Sequence, residues 1–171
     1  MGPAPEATTD RQHFAVAALS LWLIVTSPWV SMLRRVPSSA GWLDYAHVVI
    51  GCVLLVLALA YTRTCTRDGR WQLYFPCAPA QIGNVGRDFA GLLRGRIPAS
   101  ESGGLFGLIE GLLLALLIAT AATGVAWLLT QGSVEALAWR DYHIFAARSL
   151  IGLLVLHVLS VATHLLDLLR D

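Results

Sequence analysis

Three of the chain's five histidines, His143, His157 and His164, lie in one strongly apolar segment. The other two, His13 and His47, stand at the edge of or within earlier apolar runs. A neutral imidazole is a good ligand for iron, and two imidazoles from different helices can occupy both axial positions of a porphyrin iron. Such a six-coordinate iron has no open position for oxygen chemistry, so the pattern favours electron transfer.

Four apolar runs must position these histidines, at about 14–33, 45–62, 104–130 and 142–166. Each approaches the roughly 20 residues that a helix needs to cross the hydrocarbon core of a membrane. The composition agrees, since 56% of the residues are hydrophobic, only 13% are charged, and the mean hydropathy is +0.65. The sequence therefore predicts an all-α integral membrane four-helix bundle that forms a single membrane domain over residues 1–171.

The arginines predict the orientation of this bundle. Eight of the twelve basic residues, all of which are Arg, precede the first span, follow the fourth or lie in the loop at 63–103. By the positive-inside rule, both termini and this loop are cytoplasmic. Within the loop we expect a short interfacial helix at 83–95, and we expect Trp127 and Trp139 in the outer aromatic belt. The net charge of only +1 gives no indication of nucleic-acid binding.

On this map the histidines fall at two depths. His47 and His143 lie near the outer ends of their spans, whereas His13 and His157 lie toward the cytoplasm, with His164 as a further candidate at that depth. Fourteen helical residues turn through about 1400° and rise about 21 Å, so His143 and His157 share a face. One histidine pair can therefore form in each half of the membrane, and the inner partner of His13 is either His157 or His164.

Small and charged residues beside the histidines fit the same interpretation. Gly51 follows His47 by one helical turn, and Gly152 lies between the first two histidines of the fourth span. Both glycines leave flat space for a porphyrin edge. Arg148 lies within the fourth span and needs a partner, for which a haem propionate or an outer-loop acid is the first candidate and snorkelling to the surface the alternative. Glu110 is a candidate proton donor to quinone or a helix-start acid.

Together these features resemble those of the bacterial cytochrome b561 superfamily, which includes the dihaem b subunits of membrane-bound hydrogenases, formate dehydrogenases and thiosulfate reductases. The resemblance is carried by RQHF at the start of the first span, HVVIG in the second, Thr123–Gly124 in the third and the 14-residue spacing of His143 and His157 in the fourth. It extends over nearly the whole chain. The histidine spacing, combined with His13 and His47, is its most specific part.

The resemblance implies two haem b groups. His47 and His143 would hold the outer haem iron, and His13 and His157 the inner one. It favours His157 over His164 because the 14-residue spacing belongs to the family, and it leaves His164 as a candidate contact for quinone or a haem propionate.

The resemblance also implies a multi-pass protein of the bacterial inner membrane, in contact with membrane lipid. Electrons would pass between an iron–sulfur or dehydrogenase subunit on the outer face and the quinone pool. The chain would be the electron-transfer subunit of an oxidoreductase complex, with no catalytic residue of its own. One alternative is a stand-alone member that exchanges electrons with quinone or superoxide. Another is a small non-haem membrane scaffold or transporter with structural histidines.

Overall fold

All regular secondary structure is helical in the computed structural model, which describes residues 4–77, 79–94 and 104–168 and, of these, the side chains of 8–67, 69–77, 81–94 and 104–162. The α-helices are α1 (Ala4–Thr26), α2 (Trp42–Thr66), α3 (Trp71–Tyr74), α4 (Pro79–Leu92), α5 (Leu105–Leu129) and α6 (Glu135–Leu168). Short 3-10 helices occupy Ser27–Trp29 and Arg67–Gly69. The predicted all-α class is therefore confirmed for the residues described.

Three helices are long and apolar enough to cross a membrane: Trp42–Thr66, Leu105–Leu129 and the Glu135–Ala162 part of α6. They correspond to the second, third and fourth predicted spans, each of which begins or ends a few residues from its expected bounds. The first predicted span is not among the candidates found in the described residues. The four-helix membrane bundle and its cytoplasmic termini stay predictions.

The first predicted span, 14–33, extends too far toward its C-terminal end, because α1 ends at Thr26. Pro28 has no N–H with which to continue the helical hydrogen-bond ladder to the carbonyl of Ile24. The hydroxyl of Ser27 donates to that carbonyl instead, at 2.9 Å. A 3-10 turn then leads into the irregular segment 30–41. The apolar run therefore continues beyond the residue at which the helix ends.

The candidate spans expose most of their apolar side chains. Only 11% to 22% of the residues in their most apolar stretches are buried inside the protein. On α2, for example, Val49, Val53 and Val56 are 61%, 47% and 67% exposed, and their spacing places them on one face. Apolar surface of this extent is costly in water and marks a face that lipid covers.

Hydroxyl groups within these helices are satisfied by their own backbone. Thr62 donates to the carbonyl of Ala58, at 2.7 Å, and Ser160 to that of Leu156, at 2.8 Å. The same i to i−4 bond occurs at Thr64, Thr120, Thr123 and Thr130. Because the bilayer core offers no water, these local bonds remove the cost of placing a hydroxyl there.

The chain divides into two compact units, of which the first comprises 1–64 with 116–149 and the second 65–115 with 150–171. In the first, the buried apolar residues are Val16, Leu54, Ala58, Leu117, Ala121, Trp127, Ala136 and Ala146. In the second, they are Cys65, Ile109, Leu114 and Leu150. The single membrane domain over the whole chain stays a prediction.

In the first unit, the segment 30–41 is attached to the turn that joins α5 to α6. The Gly132 N–H donates to the Arg34 carbonyl, at 3.0 Å, and Arg34 Nε–H donates back to the Ser133 carbonyl, also at 3.0 Å. The N–H of Val36 donates to the side-chain oxygen of Gln131, at 3.0 Å. This reciprocal bonding holds two loops of the chain as one surface.

Trp127 and Arg140 extend the same attachment. Trp127 Nε1–H donates to the Leu33 carbonyl at 2.8 Å, and Arg140 Nε–H donates to the Met32 carbonyl. Trp127 is only 4% exposed, so the expectation that it faces the headgroup region as part of an aromatic belt is wrong. Its ring is buried in the protein because the indole N–H has a carbonyl partner there.

In the second unit, α3 lies directly against α5 because two glycines of α5 have no side chain. A Cβ on Gly107 would collide with the carbonyl oxygen of Leu73, and one on Gly111 with that of Tyr74. The short helix expected at 83–95 is found slightly earlier, as α4 (Pro79–Leu92). Proline suits a first helical position, where no intrahelical N–H bond is needed.

Candidate functional site

The first unit contains the histidine pair that was predicted for the outer half of the membrane. His47 lies on α2 and His143 on α6, and both are partly buried. The two imidazoles are close enough that a charge on His143 would act on His47. Two histidines 96 positions apart in the sequence are thereby brought near each other on different helices.

The His143 ring is oriented by a backbone carbonyl. Its Nδ1 lies 2.8 Å from the carbonyl oxygen of Thr120 on α5. A carbonyl oxygen only accepts, so Nδ1 carries the proton and donates it, which leaves the lone pair of Nε2 free. Histidines that ligate a metal generally donate their other ring N–H to a carbonyl or carboxylate in this way. His143 is therefore held in the tautomer that ligates through Nε2.

Gly124 lies one turn after Thr120 and allows this approach. A Cβ on Gly124 would stand 3.2 Å from both Cε1 and Nδ1 of His143. Any side chain here would press on the ring that Thr120 orients. Sequence reasoning noted Thr123–Gly124 only as part of a resemblance, and it missed Thr120 altogether, because a backbone carbonyl has no signature in the sequence.

The imidazole of His47 has a buried nitrogen that no described residue satisfies. Its Nδ1 is buried without a hydrogen-bond partner among the residues described. A buried polar atom left unpaired costs about 1–3 kcal/mol, so native proteins rarely keep one without a reason. One turn away, a Cβ added to Gly51 would meet no atom within 4 Å apart from its chain neighbours and its own helix backbone. Open space beside an unpaired imidazole fits a flat cofactor.

The residues present therefore fit a haem at this place. No group of three or more His, Cys, Asp or Glu side chains that could hold a metal ion occurs within the described side chains. A porphyrin supplies four nitrogen ligands of its own, so its iron needs only one or two axial ligands from the protein. Two histidines on different helices suffice for it, whereas a bare metal ion would require more.

The two histidines predicted for the inner haem lie in different units. His13, on α1, is exposed, and its ring centroid is 5.9 Å from that of Tyr61 at an interplanar angle of 33°. His157, on α6, has a buried Nδ1 with no hydrogen-bond partner in the described part of the chain. A Cβ on Gly152 would meet nothing within 4 Å. The pairing of His13 with His157 stays a prediction.

Two further predicted residues lie on α6. Arg148 is exposed, and its guanidinium makes no hydrogen bond or ion pair with the residues that the structure describes, so the outer-loop acid considered as its partner is not found there. A haem propionate as partner stays a prediction. His164 belongs to the helical part of α6, but its side chain lies outside the described residues.

A polar cluster in the second unit was not anticipated. Burial raises the pKa of the Tyr74 phenol to about 12, and its hydrogen bond with the Cys65 thiol acts in the same direction, as does Glu110. Cys65 is a free thiol that is only 2% exposed, and Glu110 is exposed on α5. Sequence reasoning missed this cluster, because the partners of Tyr74 come from α2 and α5, which no local pattern brings together.

Comparison with known proteins adds the family to this geometry. The profile of a protein family described as prokaryotic cytochrome b561 matches residues 7–170. No curated protein and no solved structure matches the chain. The match spans nearly the whole sequence, so it includes all five histidines and both units.

Proposed function

Because the chain belongs to the prokaryotic cytochrome b561 family, we propose that it is a dihaem b-type cytochrome that passes electrons across the membrane between a partner oxidoreductase and the quinone pool. The family and the three candidate spans make it a membrane cytochrome b of electron transport. The number of haems, the partner and the quinone are the proposal beyond that.

The main support for an outer haem site is the hydrogen bond from His143 Nδ1 to the Thr120 carbonyl. It fixes the tautomer and the orientation of the His143 ring, so that Nε2 would be available to hold a haem iron, and Gly124 leaves space for the ring. His47, on α2, would hold the same haem iron; its buried Nδ1, which has no partner among the described residues, supports this pairing. Haem bound between two histidines supplies a reversible one-electron carrier.

For the inner site we propose His13 and His157 as ligands. The support is the 14-residue spacing from His143 on one continuous helix and the Nδ1 of His157, which is buried without a partner among the described residues. Arg148 would pair with a haem propionate, since a charge within a membrane span needs a partner. His164 would remain outside both iron sites.

For quinone we propose a contact at the polar cluster of the second unit. Reduction of a quinone consumes protons as well as electrons, so its site needs groups that hold or transfer protons. Glu110 is exposed and lies within electrostatic reach of Tyr74, whose phenol keeps its proton up to about pH 12. The carboxylate can therefore exchange protons while the phenol donates a hydrogen bond. An iron–sulfur or dehydrogenase subunit on the outer face, in the bacterial inner membrane, would complete the chain of carriers.

The test is haem stoichiometry in purified protein and its histidine variants. The reduced-minus-oxidised spectrum should show haem b, with about two haems per chain. H47A and H143A should each retain about one, and the double variant H47A/H143A should retain as much as either single variant if both residues hold one iron. H164A is the matched control on α6 and should retain both haems.

The possible results distinguish the dihaem proposal and its histidine pairing from their alternatives. Absence of haem b would overturn the cytochrome proposal. A double variant that loses more haem than either single variant would contradict the His47–His143 pairing. Loss of a haem in H164A but not in H157A would reassign the inner ligand. Purification from native membranes together with an iron–sulfur subunit would support the role of a complex subunit over that of a stand-alone oxidoreductase.

A further inference from the structure

A pocket of about 440 Å³ lies at the attached loops of the first unit, where segment 30–41 meets the turn between α5 and α6. Its lining includes two adjacent arginines, Arg34 and Arg35, and Gly132 from the turn. The same loops carry the reciprocal hydrogen bonds between Arg34, Gly132 and Ser133. These hydrogen bonds hold the backbone of the pocket in place, while the side chains of Arg34 and Arg35 are exposed.

The two guanidinium groups bring uncompensated charge to this pocket. Arg34 uses Nε–H for the Ser133 carbonyl, at 3.0 Å, which leaves its terminal nitrogens available. Neither Arg34 nor Arg35 makes an ion pair with a carboxylate in the described part of the chain, whereas nearby Arg140 pairs with Asp141 at 3.2 Å. Two adjacent arginines without an acid are an electrostatic site for an oxyanion.

The guanidinium of Arg35 lies beside Gly132 in the turn. The φ of Gly132, +85°, lies in the left-handed region that favours glycine. A Cβ at this position would stand 2.7 Å from Nε and 2.9 Å from Nη2 of Arg35. The backbone of the turn therefore favours a glycine, and a side chain at this position would also displace the flexible guanidinium of Arg35.

The surroundings of the pocket are apolar and lie at a membrane boundary. Along the chain it adjoins the end of α5 and the start of α6, both of which are ends of candidate spans. Leu33, which lines the pocket, is 55% exposed, and Leu129 and Val134 on either side of the turn are 79% and 78% exposed. Trp42, at the start of α2, is 75% exposed, as suits an aromatic residue at headgroup level.

We propose that the Arg34–Arg35 pocket binds the phosphate of an acidic phospholipid whose acyl chains cover the exposed Leu129 and Val134. The two cations favour a headgroup with net negative charge over a zwitterionic one, because nothing in the described pocket balances them. The apolar surroundings favour a ligand that carries hydrocarbon next to its anion. Inorganic phosphate and a haem propionate share the oxyanion chemistry, and the experiment separates them from the lipid.

The experiment counts lipids retained by the full haem-loaded chain in neutral detergent. Native mass spectrometry would follow titrations with phosphatidylglycerol and with phosphatidylcholine of the same acyl chains. A basic residue at an acidic membrane surface contributes roughly a fivefold preference, so two should give roughly 25-fold. R34Q/R35Q should lose that preference, R34K/R35K should keep most of it, and R87Q, on exposed α4, should bind like wild type.

R35Q alone guards against misfolding, because it leaves the hydrogen bond from Arg34 to Ser133 intact, and it should lose roughly fivefold. Added salt should reduce the wild-type preference, as expected for an ionic contact near the surface. Equal retention of phosphatidylglycerol by wild type and R34Q/R35Q would overturn the proposal. Displacement of the lipid by millimolar inorganic phosphate would also overturn it. Loss of a haem in R34Q/R35Q without any change in lipid binding would overturn it too, and would assign the arginines to a haem propionate.

Discussion

Substitution of Gly124 by alanine tests whether the contact between α5 and the His143 ring supports a haem ligand. The new methyl group would lie 3.2 Å from both Cε1 and Nδ1 of His143. Non-bonded carbon atoms prefer about 3.5–4.0 Å, so the ring must retreat by about 0.3–0.8 Å. Because the Thr120 carbonyl is 2.8 Å from Nδ1, a retreat of this size tilts that hydrogen bond or stretches it toward and past the favourable limit of about 3.2 Å.

The magnitude follows from the two contacts that change. Loss of a hydrogen bond of this kind costs about 0.5–1.5 kcal/mol, and overpacking adds typically 1–3 kcal/mol where the neighbours cannot move. Loss of the partner that orients a metal-bound histidine usually weakens metal affinity by about 10–100-fold. We therefore expect G124A to bind one of its two haems at least about tenfold more weakly and the other as wild type does.

The assay is a haem titration of the apo-protein in detergent, followed by the Soret absorbance and fitted with two sites. G83A is the matched control, because Gly83 also lies within an α-helix and a Cβ there would meet nothing within 4 Å. Its haem affinities should equal those of wild type. If G124A binds both haems with wild-type affinity, the reasoning that Gly124 and Thr120 support a ligand is refuted.

Two further predictions concern the loops and the polar cluster. W127F should lower the free energy of unfolding by about 1 kcal/mol, since it removes the 2.8 Å hydrogen bond to the Leu33 carbonyl. W71F is the control, because Trp71 is 42% exposed, and it should change the free energy of unfolding much less. Equal effects of the two substitutions in a denaturant titration would contradict this prediction. The raised pKa of Tyr74 predicts stability that is fully present below the ordinary value of 10 and is lost as the pH rises through about 12. Thermal unfolding midpoints should fall across that range more steeply in wild type than in Y74F, and parallel curves would count against the assignment.

Much of the helical framework could be predicted from the sequence. Helices α2, α5 and α6 follow from long apolar runs, because a segment with about 20 apolar residues must satisfy its own backbone hydrogen bonds in lipid. The same reasoning failed at the end of α1. There Pro28 stops the backbone ladder while the apolar residues continue, and a hydropathy pattern is insensitive to one missing N–H.

The sequence by itself determined the residue types for a haem protein. These are five histidines within or next to apolar runs and a 14-residue spacing on one helix, which depend on local composition and helix geometry. Only the tertiary structure decided what surrounds them. The contacts join positions that are 19 to 98 residues apart in the sequence. They are the hydrogen bond from His143 to the Thr120 carbonyl, the space that Gly124 leaves for the His143 ring, and the backbone hydrogen bond from Gly132 to Arg34. Such contacts exist only once the helices pack, since no local pattern specifies which carbonyl a side chain will meet.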